Sequence, residues 1–159
     1  MDKLNPKLKN IIFWVLVVVA LMFFASLSIP NPEVVYQEYN AKGYNTETME
    51  YVGDSSVVIS GRYKDYLILS DEVDFVVEVD AFHGNVEASG TLFELQDGVY
   101  YTAFSCYDTT SSTYLTGFLA FTEDYSDIVI DMHTVVYAAS TDPNQDLQAL
   151  IEEFGDMGF

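Results

Sequence analysis

Four oxygen-bearing side chains near the C-terminus have the spacing of a calcium-binding loop. In the order of EF-hand positions 1, 3, 5 and 12, they are Asp142, Asn144, Asp146 and Glu153. Calcium prefers carboxylate and amide oxygens, so this spacing predicts a candidate metal site for calcium. The pattern departs from the EF-hand at position 6, where the sharp turn requires glycine and this chain has Leu147. A helix N-cap at Asp142, followed by an acidic helix face, is the simpler interpretation of the same residues.

A second group of carboxylates clusters around one predicted strand. The group consists of Asp71, Glu72, Asp74, Glu78 and Asp80. Oxygen ligands alone would suit calcium or magnesium. A solvated acidic face, or a surface adapted to salt, explains the same residues without a bound ion.

The residues that could support catalysis are few. The chain has two histidines, His83 and His133, and one cysteine, Cys106. None of the spacings typical of zinc sites is present. A Ser-His-Asp arrangement needs no proximity in sequence, so a hydrolase with a carboxylate or His83-centred site remains an alternative. Cys106 cannot form an intrachain disulfide and is predicted to be a small buried side chain. The sequence predicts no specific catalytic residue and no cofactor other than calcium.

All 12 tyrosines follow the N-terminal apolar segment. Those concentrated in the later predicted hairpins are Tyr100, Tyr101, Tyr107, Tyr114 and Tyr125. Aromatic side chains beside carboxylates can bind sugars or peptides. Packing and cross-strand pairing account for most of these tyrosines.

Charge is distributed very unevenly along the chain. After residue 30 there are three basic residues against 24 acidic residues, a net charge of −21. No Lys or Arg occurs from Asp65 to Phe159. Such a segment repels nucleic acid and anionic lipid headgroups, and it favours cations and cationic partners.

The N-terminus has the pattern of a membrane anchor. Residues 1–10 contain three lysines and are predicted to be a cytoplasmic basic tail, and residues 11–29 are uncharged and apolar. A helix over 11–29 would be about 28 Å long, close to the ~30 Å hydrocarbon core of a bilayer. The positive-inside rule then predicts that residues 31–159 are extracytoplasmic. A cleaved signal peptide is the alternative, with Ser26-Leu27-Ser28 as a small-x-small cleavage site.

Two kinds of periodicity follow the apolar segment. Residues 30–54 are predicted to form a stalk with a short helix over about 32–42, ended by Gly43. Residues 55–159 are predicted to form an acidic, extracytoplasmic, β-rich domain. Alternation and turn signals predict strands over 56–60, 66–69, 74–82, 86–95, 99–107, 113–122, 127–132 and 135–138. A bulge is predicted at Gly90, where the alternation slips.

The chain is predicted to end in an amphipathic helix over 142–154 that packs on the sheet. Its apolar positions recur at the helical period, at Leu147, Leu150, Ile151 and Phe154. The fold class is therefore mainly β (α+β): an N-terminal transmembrane helix, an antiparallel meander sheet of about eight strands, and a packed C-terminal helix. A small β-sandwich or barrel is the alternative.

Residues 98–154 show a sequence pattern that is similar to one found in other proteins. The segments GVYY at 98–101, GFLAF at 117–121 and DIVID at 127–131 precede a cap and an amphipathic helix. This arrangement resembles small, uncharacterised, N-terminally anchored surface proteins of Gram-positive bacteria. The resemblance implies a place at the cell membrane and no activity.

These observations together predict a membrane-anchored extracytoplasmic binding protein. Its expected partners are the membrane, envelope proteins or cell-wall material, and cations, with nucleic acid excluded by charge. The alternatives are the extracytoplasmic hydrolase and an acidic surface protein whose charge is an adaptation to salt.

Overall fold

A computed structural model of the chain describes residues 6–27, 29–66, 69–80, 85–96, 98–108 and 113–157. Its two helices are α1 (Pro6–Leu27) and α2 (Leu147–Asp156). Its nine strands are β1 (Asn31–Asn45), β2 (Tyr51–Asp65), β3 (Glu72–Val79), β4 (Asn85–Thr91), β5 (Phe93–Gln96), β6 (Val99–Asp108), β7 (Thr113–Thr122), β8 (Asp127–Asp131) and β9 (Val135–Ser140).

The strands form one antiparallel meander that nearly closes into a barrel. Strands make up 54% of the structure, in the order β4-β3-β2-β1-β9-β8-β7-β6-β5. An additional pairing of β4 with β6, where Glu87 lies opposite Ser105, joins the two sides of the sheet. The predicted fold class, a mainly β meander with an N-terminal apolar helix and a C-terminal helix, is confirmed.

Apolar side chains are buried on both faces of the later strands. Inside the barrel, Phe75 and Phe121 are each 1% exposed and lie among the side chains that alternate along β1, β2, β3 and β7. On the outside, Leu150 and Phe154 of α2 cover Ala120, together with neighbouring residues of β8 and β9. Burial on both faces explains why residues 117–121 of β7 are all apolar, since this part of the strand has neighbours on each side and a helix above it.

The predicted helix over 32–42 is wrong, because these residues belong to β1. Val35 and Tyr39 are buried with a spacing of four, which a helix and a strand can both produce. Pairing with β2, from Asn31 opposite Asp65 to Tyr44 opposite Tyr51 with one register shift after Gly43, decides in favour of the strand. The sheet therefore begins at residue 31, and the described residues between it and α1, 29–30, form no helix.

The predicted strand over 66–69 is not formed at Tyr66 or Leu69, and residues 67–68 lie outside the described part of the chain. Residues 81–82 of the predicted strand 74–82 and His83 of the following turn also lie outside it.

The predicted bulge at Gly90 lies close to the observed irregularity. Glu87 is opposite Ser105, whereas Phe93 is opposite Tyr101. The five residues between Glu87 and Phe93 thus stand against three residues of β6, between Tyr101 and Ser105. The chain is interrupted between β4 and β5 at residue 92.

The C-terminal helix starts later than predicted. It begins at Leu147, and its N-cap is Asp146, whose side chain accepts hydrogen bonds from the backbone N–H groups of Gln148 and Ala149. Asp142 instead accepts the backbone N–H of Asn144 at 2.9 Å, which forms a tight turn before the helix. The prediction of Asp142 as the cap was therefore wrong, since Asp and Asn favour turns and caps alike.

Helix α1 is long and apolar enough to cross a membrane. The span Lys7–Leu27 reaches a mean hydropathy of 2.5, and none of it is buried against the rest of the protein. A signal sequence near the N-terminus would meet the same criteria.

Candidate functional site

The barrel wall is incomplete beside the first half of β1. Strand β1 pairs with β2 from Asn31 to Tyr44, but it pairs with β9 only over Lys42–Asn45. Among the described residues, 31–41 of β1 therefore have no paired strand on this side. The turn between β7 and β8, residues 123–126, lies across from part of this stretch, where the Tyr39 hydroxyl donates to the Tyr125 carbonyl. We call this gap the open seam. It lies at the end of the barrel where β1 begins and β2 ends, next to the end of α1.

A cleft of about 350 Å³ opens at this seam. Its lining residues are Glu33, Gln37, Tyr63, Tyr100, Phe121, Glu123, Asp124 and Tyr125. They come from β1, β2, β6 and β7 and from the turn after β7, so they meet only when the barrel is folded. A volume of this order is sufficient for a small ligand.

Stacked aromatic rings form one wall of the cleft. The rings of Phe121 and Tyr125 lie 5.2 Å apart between centroids and 9° from parallel. Phe75 contacts both rings edge-on, at 5.9 Å and 6.4 Å. Tyr125 has a positive φ of 57°, and its backbone carbonyl accepts a hydrogen bond of 2.8 Å from the Tyr39 hydroxyl across the seam. These contacts hold Tyr125 against the interior of the barrel.

The turn that carries Tyr125 is fixed by Asp124. Its Oδ1 accepts the backbone N–H of Ser126 at 3.0 Å and the Thr122 hydroxyl at 2.9 Å. These hydrogen bonds, with the one from Ser126 first, hold the pKa of Asp124 below its ordinary value. Asp124 is therefore ionised at neutral pH.

The cleft is negatively charged. Three of its lining residues are acidic and none is basic. Among the described residues, neither the Glu33 nor the Glu123 carboxylate has a hydrogen-bond or ion-pair partner. Burial, and then the Glu33 charge, raise the pKa of Tyr125. Burial and the charges of Glu94, Glu123 and Asp71 raise the pKa of Tyr100. Both phenols therefore stay neutral at neutral pH, in the field of the surrounding carboxylates.

Two further carboxylates lie near this end of the barrel. Asp71 accepts the Tyr63 hydroxyl at 2.5 Å and the backbone N–H of Tyr66 at 2.9 Å, which fixes the ring of Tyr63 at the cleft. Asp127 accepts the Ser126 hydroxyl through one oxygen, at 3.2 Å. Its other oxygen, Oδ1, is buried without a hydrogen-bond partner among the residues described here.

The residues with EF-hand spacing do not form an EF-hand loop. Positions 6 to 12 of the pattern, from Leu147 to Glu153, are helical, whereas an EF-hand keeps most of these positions in a loop. Asp142 and Asp146 accept backbone N–H groups of a turn and of the helix start. The Asn144 amide also donates to Asp142, at 3.2 Å. Within the described ranges, no three His, Cys, Asp or Glu side chains are grouped so that they could hold a metal ion.

The carboxylates of residues 71–80 are spread along the strand and do not converge. Asp74 and Glu78 are exposed on β3, with Phe75 and Val77 buried on the opposite face. Glu72 lies 3.8 Å from the Lys64 ammonium, as an ion pair on the barrel surface. This part of the structure agrees with a solvated acidic face.

Of the two histidines, His83 lies outside the described residues, and so does the side chain of Cys106. His133 is exposed in the turn between β8 and β9, where its carbonyl accepts the Thr46 hydroxyl at 2.6 Å. That turn is at the opposite end of the barrel from the cleft.

Sequence reasoning found part of the cleft. Tyr100 and Tyr125 belong to the tyrosines of the later hairpins that the sequence predicts as ligand-binding candidates, and the structure brings both into one site. Glu33, Glu123 and Asp124 were not singled out, because a charge in a turn or at a strand start has no sequence signal that separates it from an ordinary surface residue.

The fold and the cleft define a small antiparallel barrel with a lateral opening beside its first strand. No protein family, curated protein or solved structure matches this chain.

Proposed function

We propose that the protein is a membrane-tethered binding protein that holds a small ligand in the cleft at the open seam, on the extracytoplasmic side. The observation that carries this proposal is the cleft itself: about 350 Å³, with aromatic walls and three carboxylates. Ligand sites in proteins typically combine apolar walls with a few polar groups, as this cleft does.

The tether is supported by α1 and by the short connection after it. Leu27 ends the helix and Asn31 starts β1, so Glu33 is six residues from the helix end and no more than about 20 Å from it along an extended chain. If α1 spans a bilayer, the cleft lies close to the membrane surface. The lysines before α1, the acidic domain after it and the resemblance to anchored surface proteins favour an extracytoplasmic barrel.

Ligand binding is tested by amide NMR spectra of the full chain in maltoside micelles. We expect at least one member of a chemically mixed panel (glucose, acetate, tri-alanine and ethylamine) to shift resonances of the cleft-lining residues. A matched variant, Tyr125→Ala, should lose those shifts, whereas Tyr114→Ala, which alters an exposed residue on the barrel surface, should keep them. Shifts that are absent from the cleft for every compound, or that survive Tyr125→Ala, would contradict the proposed site.

Orientation is tested separately, with alkaline phosphatase fused after residue 159, because this enzyme is active only outside the cytoplasm. We expect activity from the fusion and a marked loss when Lys3, Lys7 and Lys9 are replaced by Glu, which removes the positive charge that sets the topology. An inactive wild-type fusion that sediments with membranes would place the barrel in the cytoplasm and overturn this part of the proposal.

The hydrolase alternative gains no support from the described residues. His133 lies at the end of the barrel opposite the carboxylates of the cleft. A ligand-binding role does not require a histidine beside these carboxylates, and the residues that line the cleft suffice for it.

A further inference from the structure

We infer that the cleft at the open seam binds the ammonium group of a small organic cation. This inference rests on the proposed function of the cleft as a ligand site, and it names the chemical class of the ligand. Two independent features carry it: the sign of the charge around the cleft and the aromatic surfaces that line it.

The charge excludes anions and favours cations. Glu33, Glu123 and Asp124 line the cleft without a basic residue among them. Arg62 and Lys64 flank Tyr63 on β2, but alternation along the strand directs their side chains to the face opposite Tyr63, where Lys64 pairs with Glu72. A bound carboxylate or phosphate would therefore meet three negative charges and no compensating group, whereas an ammonium group would neutralise part of them.

The aromatic surfaces favour an organic cation over a metal ion. Tyr63, Tyr100 and Tyr125 line the cleft, and the faces of such rings attract alkylammonium groups, with a gain that grows when the cation is desolvated. Calcium instead requires six to eight oxygen ligands at short distance. The described residues offer no group of three acidic, histidine or cysteine side chains arranged for a metal. The raised pKa values of Tyr100 and Tyr125 keep these rings neutral.

The ammonium group has two sources compatible with the position of the cleft. It can belong to a free solute, or to a lipid headgroup, since the seam is close to the end of α1. The chemistry of recognition is the same in both cases.

The experiment compares choline with 3,3-dimethylbutan-1-ol, which has the same shape and no charge. Both are titrated into the full chain in maltoside micelles while amide resonances of the cleft are followed by NMR. We expect choline to shift these resonances and to bind at least about tenfold more tightly than the alcohol. A tenfold ratio corresponds to a contribution of about 1.4 kcal/mol to binding from the carboxylate charges and the ring faces. A chain in phosphatidylcholine nanodiscs, compared with phosphatidylglycerol nanodiscs, then distinguishes a headgroup from a free solute. Shifts without added choline identify the headgroup, and shifts only on its addition identify the solute.

The matched variants are Glu33→Gln and Glu38→Gln, which remove one negative charge each from the same strand. Glu33 lines the cleft, whereas Glu38 is exposed and accepts the Tyr36 hydroxyl on the outer face. We expect Glu33→Gln to weaken choline binding by at least about threefold and Glu38→Gln to leave it unchanged. An equal effect of both variants would mean that choline responds to the overall charge of the domain, and would overturn the inference.

Failure of this inference can be told apart from failure of the proposed function. If choline and the neutral alcohol bind equally, the cleft is a ligand site for apolar groups and only the ammonium inference is wrong. Titration up to about 0.1 M choline reveals even millimolar affinities. If choline gives no shifts in this range while another member of the mixed panel does, again only the ammonium inference is wrong. If no compound of any class shifts the cleft, both proposals fail together.

Discussion

Substitution of Gly61 tests the packing of the barrel wall next to the cleft. Gly61 lies in β2 between Val35 of β1 and Phe75 of β3, and its φ is +153°. A Cβ atom at this position would lie 2.1 Å from the carbonyl oxygen of Asp74 and 2.9 Å from the Cα of Phe75. Gly53, in the same strand, has a nearly identical φ of +152°, and nothing lies within 4 Å of a Cβ atom added there. Comparing alanine substitutions at Gly61 and Gly53 therefore separates the cost of backbone strain from the cost of steric overlap.

The two substitutions are expected to differ in cost by the steric term alone. A residue with a side chain at this φ costs about 1–3 kcal/mol, offset by ~0.4–1 kcal/mol because alanine restricts the unfolded chain. Gly53→Ala should therefore lower the free energy of unfolding by about 1 kcal/mol. At Gly61 the nearest tolerable C···O contact of about 3.3 Å requires β3 to move by roughly 1 Å. Overpacking of this kind adds ~1–3 kcal/mol, so we expect Gly61→Ala to cost about 3 kcal/mol.

The measurement is thermal unfolding of the full chain in maltoside micelles, followed by circular dichroism. For a protein of this size the expected difference of about 2 kcal/mol corresponds to a gap of roughly 5–10 °C between the two melting temperatures. Equal losses at Gly61 and Gly53 would show that the overlap with β3 is relieved without cost. A larger loss at Gly53 would contradict the reasoning from the geometry of both glycines.

Three further predictions follow from the described contacts. In chemical denaturation, Asp146→Ala should destabilise the protein by about 1 kcal/mol, because α2 loses its N-cap. Asp142→Ala should destabilise it by less than about 0.5 kcal/mol. A larger loss for Asp142→Ala than for Asp146→Ala would contradict the helix start at Leu147. Burial raises the pKa of Tyr39, Tyr63 and Tyr125 above the ordinary value of 10.0, so their contribution to stability is complete below pH 10 and is lost as the pH rises further. In an alkaline titration, the last part of the tyrosinate absorbance, which belongs to these buried rings, should appear together with the loss of circular dichroism. Complete tyrosinate formation in the intact fold would refute this. Sodium chloride should raise the melting temperature by screening the net charge of −21 that the residues after position 30 carry, and calcium should do no more than sodium at equal ionic strength. Stabilisation by millimolar calcium alone would restore the calcium-site interpretation.

Most of the fold could be predicted from the sequence because at least one face of each strand is buried. The alternation from Asp74 to Val79 matches the burial of Phe75, Val77 and Val79 in β3. The predicted strands over 86–95 and 99–107 are separated by Asp97-Gly98, a dipeptide typical of hairpin turns, and in the structure Gln96 lies opposite Val99. The predicted strand over 113–122 coincides with β7, which lies between β6 and β8.

The prediction failed where local signals agree with two structures. Asn31, Pro32 and Glu33 have the order of a helix cap, a first-turn proline and a first-turn acid. Their extended conformation is imposed by 14 paired positions along β2, which are distant in sequence from this signal. The same holds for the cleft, because Glu33 and Tyr125 meet only through closure of the barrel. No periodicity encodes which strands leave a gap between them.

The pairing of β1 with β9 can form only late during synthesis of the chain. Each hairpin between consecutive strands can form as soon as its second strand has emerged, but Lys42 pairs with Ala138, so this contact must wait for the whole intervening chain. At ordinary translation rates that wait is roughly 5 to 20 s. Throughout it, β1 presents an unpaired edge of the kind through which nascent chains associate wrongly. Pro32 has no N–H to offer such a partner and Lys42 carries a charge, two features that protect strand edges. The edge of β1 that borders the cleft in the folded protein is thus also exposed for longest in the nascent chain.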